Sequence, residues 1–174
     1  MAVAETPTSP AFLIAGLGNW LLRDDGIGVH AVRQLMGCPM EGTLVMEVGT
    51  DVFSAVRWLE SVPQVLAIDA MDAGGPPGTI YQCASRDIKV EAIRASLHEL
   101  CLLSVLEFVP KAKWPEITVL GVQPGIIDYG LELSPALQEA LPKVVAAAQA
   151  IVAAWQQVHP DTPSRVHWSE PVIA

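Results

Sequence analysis

Three side chains in this sequence, Asp25, Asp69 and His98, are of the types that can share one divalent cation, and they come from distant parts of the chain. Two carboxylates and one imidazole form a borderline donor set without thiolates. Such a set suits Ni, Zn, Co or Mn and leaves positions open for water or substrate. The carboxylates would also offset the cation's charge, which an apolar strand end cannot do. Each residue has a plainer reading as well. Asp25 follows Asp24 just ahead of a helical pattern, where one of an Asp pair is more often a cap than a ligand. Asp69 closes an apolar run, so its carboxylate must be solvated, hydrogen-bonded or metal-bound. His98 stands in Ala95-Ser96-Leu97-His98-Glu99-Leu100, and a lone histidine in such a stretch is more often a satisfied core or boundary residue. None of the three decides anything alone.

What joins them is the order of the elements that carry them. Short apolar runs alternate with amphipathic helical patterns, which predicts an α/β fold around a mostly parallel sheet. Residues 11–15 read as a buried first strand ending at Gly16. Residues 26–36 follow as a helix, with Ile27, Ala31 and Leu35 four apart and Asp24 or Asp25 as its cap. Strands are expected over 44–48, 65–68, 79–82 and 117–122, and helices over 52–59 and 93–108. The last helix opens at Ser134-Pro135, a cap followed by a proline at the first helical position. Its apolar stripe runs Leu137, Leu141, Val144, Ala148, Ile151 and Trp155, with a kink or late start expected at Pro142. In parallel sheets ligands gather at the carboxyl ends of strands, because loops and helix N-termini converge there. Asp25 leaves strand one at that edge and Asp69 caps strand three. Thr50 and Gln123 follow strands two and five in the same way.

Other chemistries find less support. His98-Glu99 leads into Cys101-Leu102 with no second histidine, so the HExxH zinc motif is absent. There is no GxSxG elbow and no P-loop lysine. Gly16-Leu17-Gly18-Asn19 opens like a dinucleotide fingerprint, but Trp20 and Leu21 stand where a third glycine is needed. A dinucleotide-binding enzyme is therefore the weakest of the readings. The net charge of −9 over 174 residues repels phosphate backbones and anionic lipid heads, which argues against nucleic acid and membrane surfaces as partners. No basic segment precedes the first apolar run, so no signal peptide is expected. The longest apolar stretch, 144–155, is shorter than the ~20 residues that span a bilayer. Cys38, Cys83 and Cys101 are an odd number without metal-type spacing. They read as reduced thiols, mostly buried, in a cytoplasmic protein.

The run from Gly16 through Asn19, Asp24, Asp25 and Gly26 to Gly28 resembles the opening signature of hydrogenase maturation endopeptidases, GxGNxLxxD(D/E)GxG. Asp69-Ala70-Met71 through Gly74 to Pro77-Gly78-Thr79 is similar to that family's DAxxxGxxPGT. Ser96-Leu97-His98 resembles its SxH block, and Gly121-Val122-Gln123-Pro124 its late strand end. The sequence departs from the family at Cys101, where a glycine is often found, and at Glu47-Val48-Gly49-Thr50, where some members have Asp-Gly-Gly-Thr. Asp25 stands where some relatives have the longer Glu.

The resemblance implies a single-domain three-layer sandwich, with a twisted, mostly parallel five-stranded sheet between helices. It places the endopeptidase domain over 1–157 and leaves 158–174 as an irregular tail. It further implies removal of the C-terminal extension from a [NiFe] hydrogenase large-subunit precursor after nickel insertion. Nickel would arrive with that substrate, and other divalent metals could replace it in the free protein. Carried over residue by residue, the family's ligands are Asp25, Asp69 and His98. A non-catalytic nickel-sensing chaperone of the same precursor is the alternative, with the same ligands.

Overall fold

The computed structural model describes residues 10–84 and 105–158. In chain order the elements are β1 (Phe12–Leu17), α1 (Ile27–Leu35), β2 (Thr43–Gly49), α2 (Val56–Leu59), β3 (Gln64–Ala70), β4 (Ile80–Ala84), β5 (Glu116–Val122) and α3 (Pro135–Val158). Short 3-10 turns at Arg23–Gly26 and Val52–Ala55 lead into α1 and α2. The five strands form one sheet in the order β2-β1-β3-β5-β4. All neighbours are parallel except β4, which runs antiparallel to β5 at one edge. This is the predicted mostly parallel sheet between helices. The three inner strands, β1, β3 and β5, were legible because a strand covered on both faces is apolar at successive positions.

Alternation along the strands divides the core in two. Phe12 and Ile14 of β1, Leu66 and Ile68 of β3, and Leu120 and Val122 of β5 face α1 and α3. Leu13, Ala15 and Leu17, Val65 and Ala67, and Ile117 and Val119 face the other way, against α2 and residues 105–109. Each fully buried Leu, Ile or Phe side chain contributes about 1.5–3 kcal/mol relative to exposure. β1 lies between β2 and β3, and all six of its residues are buried.

Of the predicted stripe on α3, Leu137, Val144 and Ala148 are buried, Leu141, Ile151 and Trp155 are partly buried against the core, and Val152 joins them as a further buried residue. The helix starts at Pro135 and continues through Pro142 without a break. Pro142 and Gln138 both lie on its exposed side, where water can take the Gln138 carbonyl that the missing N–H leaves. The helix still includes Val158, one residue beyond the expected domain end, while 159–174 lie outside the described residues. So does most of the expected 93–108 helix; its described end is a 3-10 turn, Leu106–Phe108. Cys38 is exposed and not buried, since it falls in the turn after α1, and Cys83 is half-buried; neither forms a disulfide. Among the described residues no helix is long and apolar enough to cross a membrane.

Candidate active site

Asp69 is the penultimate residue of β3 and not the residue after it. It points to the same face as Val65 and Ala67, yet its carboxylate is completely buried at the carboxyl end of the sheet. The N–H of Ala70 donates to its Oδ1 at 2.8 Å. A carboxylate removed from water needs such donors or a cation to remain ionised.

Asp25 reaches the same place through the loop after β1. Gly18 has φ +105°, a left-handed conformation that side chains rarely adopt. A Cβ built there would run into the Asp25 carbonyl and would stand 3.4 Å from Asp69 Oδ1. Gly18 is therefore the point at which the two acidic segments meet. The next residue, Asn19, donates its N–H to Asp25 Oδ2 at 2.8 Å. Both carboxylates thus border residues 18 and 19, Asp69 against Gly18 and Asp25 against the Asn19 amide. Neither Asp25 nor Asp24 caps α1; the cap residue is Gly26, without a side-chain bond. The 3-10 turn before the helix turns both carboxylates elsewhere.

Asp24 is a residue whose function the sequence did not reveal. It is fully buried. Its Oδ2 accepts from the N–H groups of Gly125 at 2.8 Å and Ile126 at 2.7 Å, and from the Ser134 hydroxyl at 2.7 Å. Its Oδ1 accepts from the Ser134 N–H at 2.7 Å. These bonds tie the Asp25 loop to the segment between β5 and α3. Three of the four donors are backbone amides, which leave no mark in a sequence.

Gln123, expected at the edge from its place after β5, organises the neighbouring loop. Its Oε1 accepts from the N–H groups of Ala73 at 2.9 Å and Gly75 at 3.2 Å. Its Nε2 donates to Asp72 Oδ1 at 2.9 Å. That bond, with a second from the Gly74 N–H, holds the Asp72 carboxyl below the ordinary carboxylate range. Gly125 packs between this loop and the Asp24 clamp, where an added Cβ would lie 3.1 Å from Pro77 and 3.4 Å from Asp24 Oδ2. Thr50 is exposed in the turn after β2.

The fold thus gathers Asp25, Asp69 and Gln123 at one sheet edge. His98 lies outside the described residues. Among those residues, no group of three His, Cys, Asp or Glu side chains is placed to hold a metal ion.

A family model described as hydrogenase maturation protease (HycI) matches residues 29–151, a range that includes positions 69 and 98 and begins after Asp25. The hydrogenase expression/formation protein HupM of Azotobacter chroococcum mcd 1 is 31% identical over 156 residues, which cover 85% of this chain and 74% of HupM. The corresponding protein HoxM of Azotobacter vinelandii is 32% identical over 150 residues, covering 77% of this chain and 72% of HoxM. Among solved structures, the [NiFe] hydrogenase maturation protease HybD from Thermococcus kodakarensis superimposes with a TM-score of 0.69 at 29% identity, covering 80% of this chain and 97% of that one. The hydrogenase maturating endopeptidase HybD from E. coli shares the fold, with a TM-score of 0.71 at 22% identity, covering 82% of this chain and 92% of its own. The family match extends over more than half of the sequence, on the sheet that brings Asp25 and Asp69 to one edge, and this chain belongs to the hydrogenase maturation protease family.

Proposed function

We infer that the protein is an endopeptidase that removes the C-terminal extension of a [NiFe] hydrogenase large-subunit precursor once nickel has been inserted. The observation that carries this reading is the meeting of the Asp25 and Asp69 segments at Gly18, in a chain of this family. The nickel is part of the substrate. Asp25, Asp69 and His98 supply the oxygen and nitrogen donors that complete its coordination, so only loaded precursor is engaged. A divalent cation at a scissile carbonyl polarises it or activates water. Water adds to the carbonyl carbon, the C–N bond breaks, and the leaving amine takes up the proton. The reaction takes place in the cytoplasm, where metal insertion is completed.

Incubation of the enzyme with nickel-loaded and nickel-free precursor, followed by intact mass spectrometry, tests the reading. Loss of a C-terminal peptide from the loaded form alone is expected. Asp25→Asn, Asp69→Asn and His98→Ala should each abolish that loss while circular dichroism stays unchanged. Stable binding of loaded precursor without cleavage would replace the protease with a nickel-sensing chaperone. Normal cleavage by Asp69→Asn would remove the ligand assignment.

A further inference from the structure

Beside the acidic edge, two loops expose apolar side chains side by side. Trp20 and Leu21 project from the loop after β1, and Ile126, Ile127, Tyr129 and Leu131 from the segment after β5. Tyr129 is 85% exposed and Ile127 is 56% exposed, so these side chains add little to the core. Their backbones are nevertheless firmly joined. The Arg23 N–H donates to the Gly130 carbonyl at 2.9 Å, and the Gly130 N–H to that of Leu21 at 2.9 Å. The Asp24 N–H donates to the Ile126 carbonyl at 3.2 Å while its carboxylate holds Gly125, Ile126 and Ser134. Gly26 lets the chain pass directly under Trp20, where an added Cβ would lie 2.7 Å from the Trp20 Cα. Arg33, itself fixed by two 2.8 Å bonds to Glu47, lies 5.1 Å from the Trp20 ring centroid.

A loop that exposes four apolar side chains in six residues has no stabilising reason to be held this tightly, and contiguous apolar surface marks an interaction site. We propose that residues 126–131 and Trp20-Leu21 form a lip that seats an apolar segment of the precursor beside Asp25, and that Asp24 is the positioning residue that holds the lip in place. The inference rests on the protease reading above. The occupant follows from continuity and charge. Asp25 adjoins Asp24 in the chain and accepts from the Asn19 N–H beside Trp20, so the lip borders the acidic edge. The charged side chains within the 126–132 segment are both acidic, Asp128 and Glu132, on a chain of net charge −9, while Arg23 lies against Gly130 at its edge. The two acidic side chains favour a segment whose apolar residues are flanked by lysine or arginine.

The test is steady-state cleavage of nickel-loaded precursor by the full-length chain. Ile127→Ser and Tyr129→Ser, at exposed positions that leave the core intact, should each raise KM by about tenfold or more, with a smaller change in kcat. Asp24→Asn keeps the shape but turns an amide toward donors, and should raise KM in the same direction in its folded fraction. Asp128→Asn should raise KM more at low salt than at high salt. Met36→Ser, equally apolar and exposed but at the opposite end of α1, serves as the control and should leave KM unchanged. Wild-type KM in both lip variants overturns the proposal while the protease reading stands. Absence of cleavage by the wild-type enzyme from competent precursor overturns the reading on which it rests.

Discussion

Asp24 and Ser134, 110 positions apart, are joined by two hydrogen bonds of 2.7 Å, one from the serine N–H and one from its hydroxyl. Ser134 immediately precedes α3, and its carbonyl accepts from the N–H groups of Leu137 at 3.0 Å and Gln138 at 2.9 Å, as expected of a helix cap. A capping serine ordinarily accepts with its side chain from the first turn. Here the hydroxyl donates to a buried carboxylate. The start of the longest helix is thereby fastened to the loop that carries Asp25.

That relationship makes Ser134→Ala more damaging than removal of an ordinary cap. The variant loses a hydrogen bond to a buried charged acceptor, worth about 1.5–3 kcal/mol. Urea denaturation should show a midpoint lowered accordingly with an unchanged slope. A loss below about 0.5 kcal/mol, the range of ordinary surface substitutions, would mean that the Asp24 carboxylate does not depend on the hydroxyl.

Gly18 and Gly74 both have positive φ, at +105° and +78°, but their surroundings differ. A Cβ on Gly74 meets nothing within 4 Å, whereas one on Gly18 collides with the Asp25 carbonyl. Gly74→Ala should therefore lose only about 1 kcal/mol to backbone strain and keep its cleavage activity. Gly18→Ala must push Asp25 away from Asp69, and should lose cleavage as well as at least about 2 kcal/mol of stability. Thermal melts and precursor cleavage, measured on both variants, separate the two effects. Equal behaviour of the pair would mean that the Gly18 contact does not position the site.

The contrast between Asp69 and Asp24 explains what the sequence disclosed. Asp69 ends the run Val65-Leu66-Ala67-Ile68, and a carboxylate after four buried apolar residues is conspicuous wherever it leads. The sheet was equally legible, since β1, β3 and β5 are buried on both faces and written in apolar residues. Asp24 looked like a local helix cap because Asp pairs before helices commonly are. Its partners lie about a hundred residues away and are mostly amides, so no local pattern distinguishes the two uses. Pro142 was legible only in part, since the helix already starts at Pro135 and is not delayed to Pro142. The fate of a proline in a helix depends on whether the orphaned carbonyl faces water, which is a property of packing.

His30 on α1 gives the fold an acid-sensitive point. Burial lowers its pKa below 6.5 and the Arg33 charge lowers it further, against smaller upward effects of the Leu131 backbone and Glu47. Its Nε2 has no hydrogen-bond partner. The folded protein thus keeps a neutral imidazole in a range where the unfolded chain binds a proton. The unfolded state holds more protons between the lowered pKa and 6.5, so stability falls as pH drops through that window. His30→Asn keeps a donor near the imidazole and removes the titration. Between pH 7.5 and about 5 its stability should fall less steeply than that of the wild type, by urea midpoint. Parallel slopes would show that His30 does not contribute.

Gln123 and Asp72 offer a test with the opposite sign. In the wild type, hydrogen bonds from Gln123 and Gly74 lower the Asp72 pKa from 3.8, so the stability they give is present above that value and is lost as pH falls below it. Gln123→Glu preserves acceptors for the Ala73 and Gly75 amides. It replaces the donor that meets Asp72 Oδ1 at 2.9 Å with a second carboxylate. Two carboxylates at that distance cannot both stay ionised cheaply, so the pair should retain a proton well above the usual carboxylate range. The variant should therefore be destabilised at neutral pH and recover relative to the wild type as pH falls toward about 5. Gln123→Ala removes the bonds without adding charge, and should lose about 1–3 kcal/mol at both pH values. Thermal melts of the three proteins at pH 7.5 and pH 5, checked by amide exchange at Ala73 and Gly75, measure this; a Gln123→Glu deficit that deepens in acid would rule out the contact between these two side chains as the source.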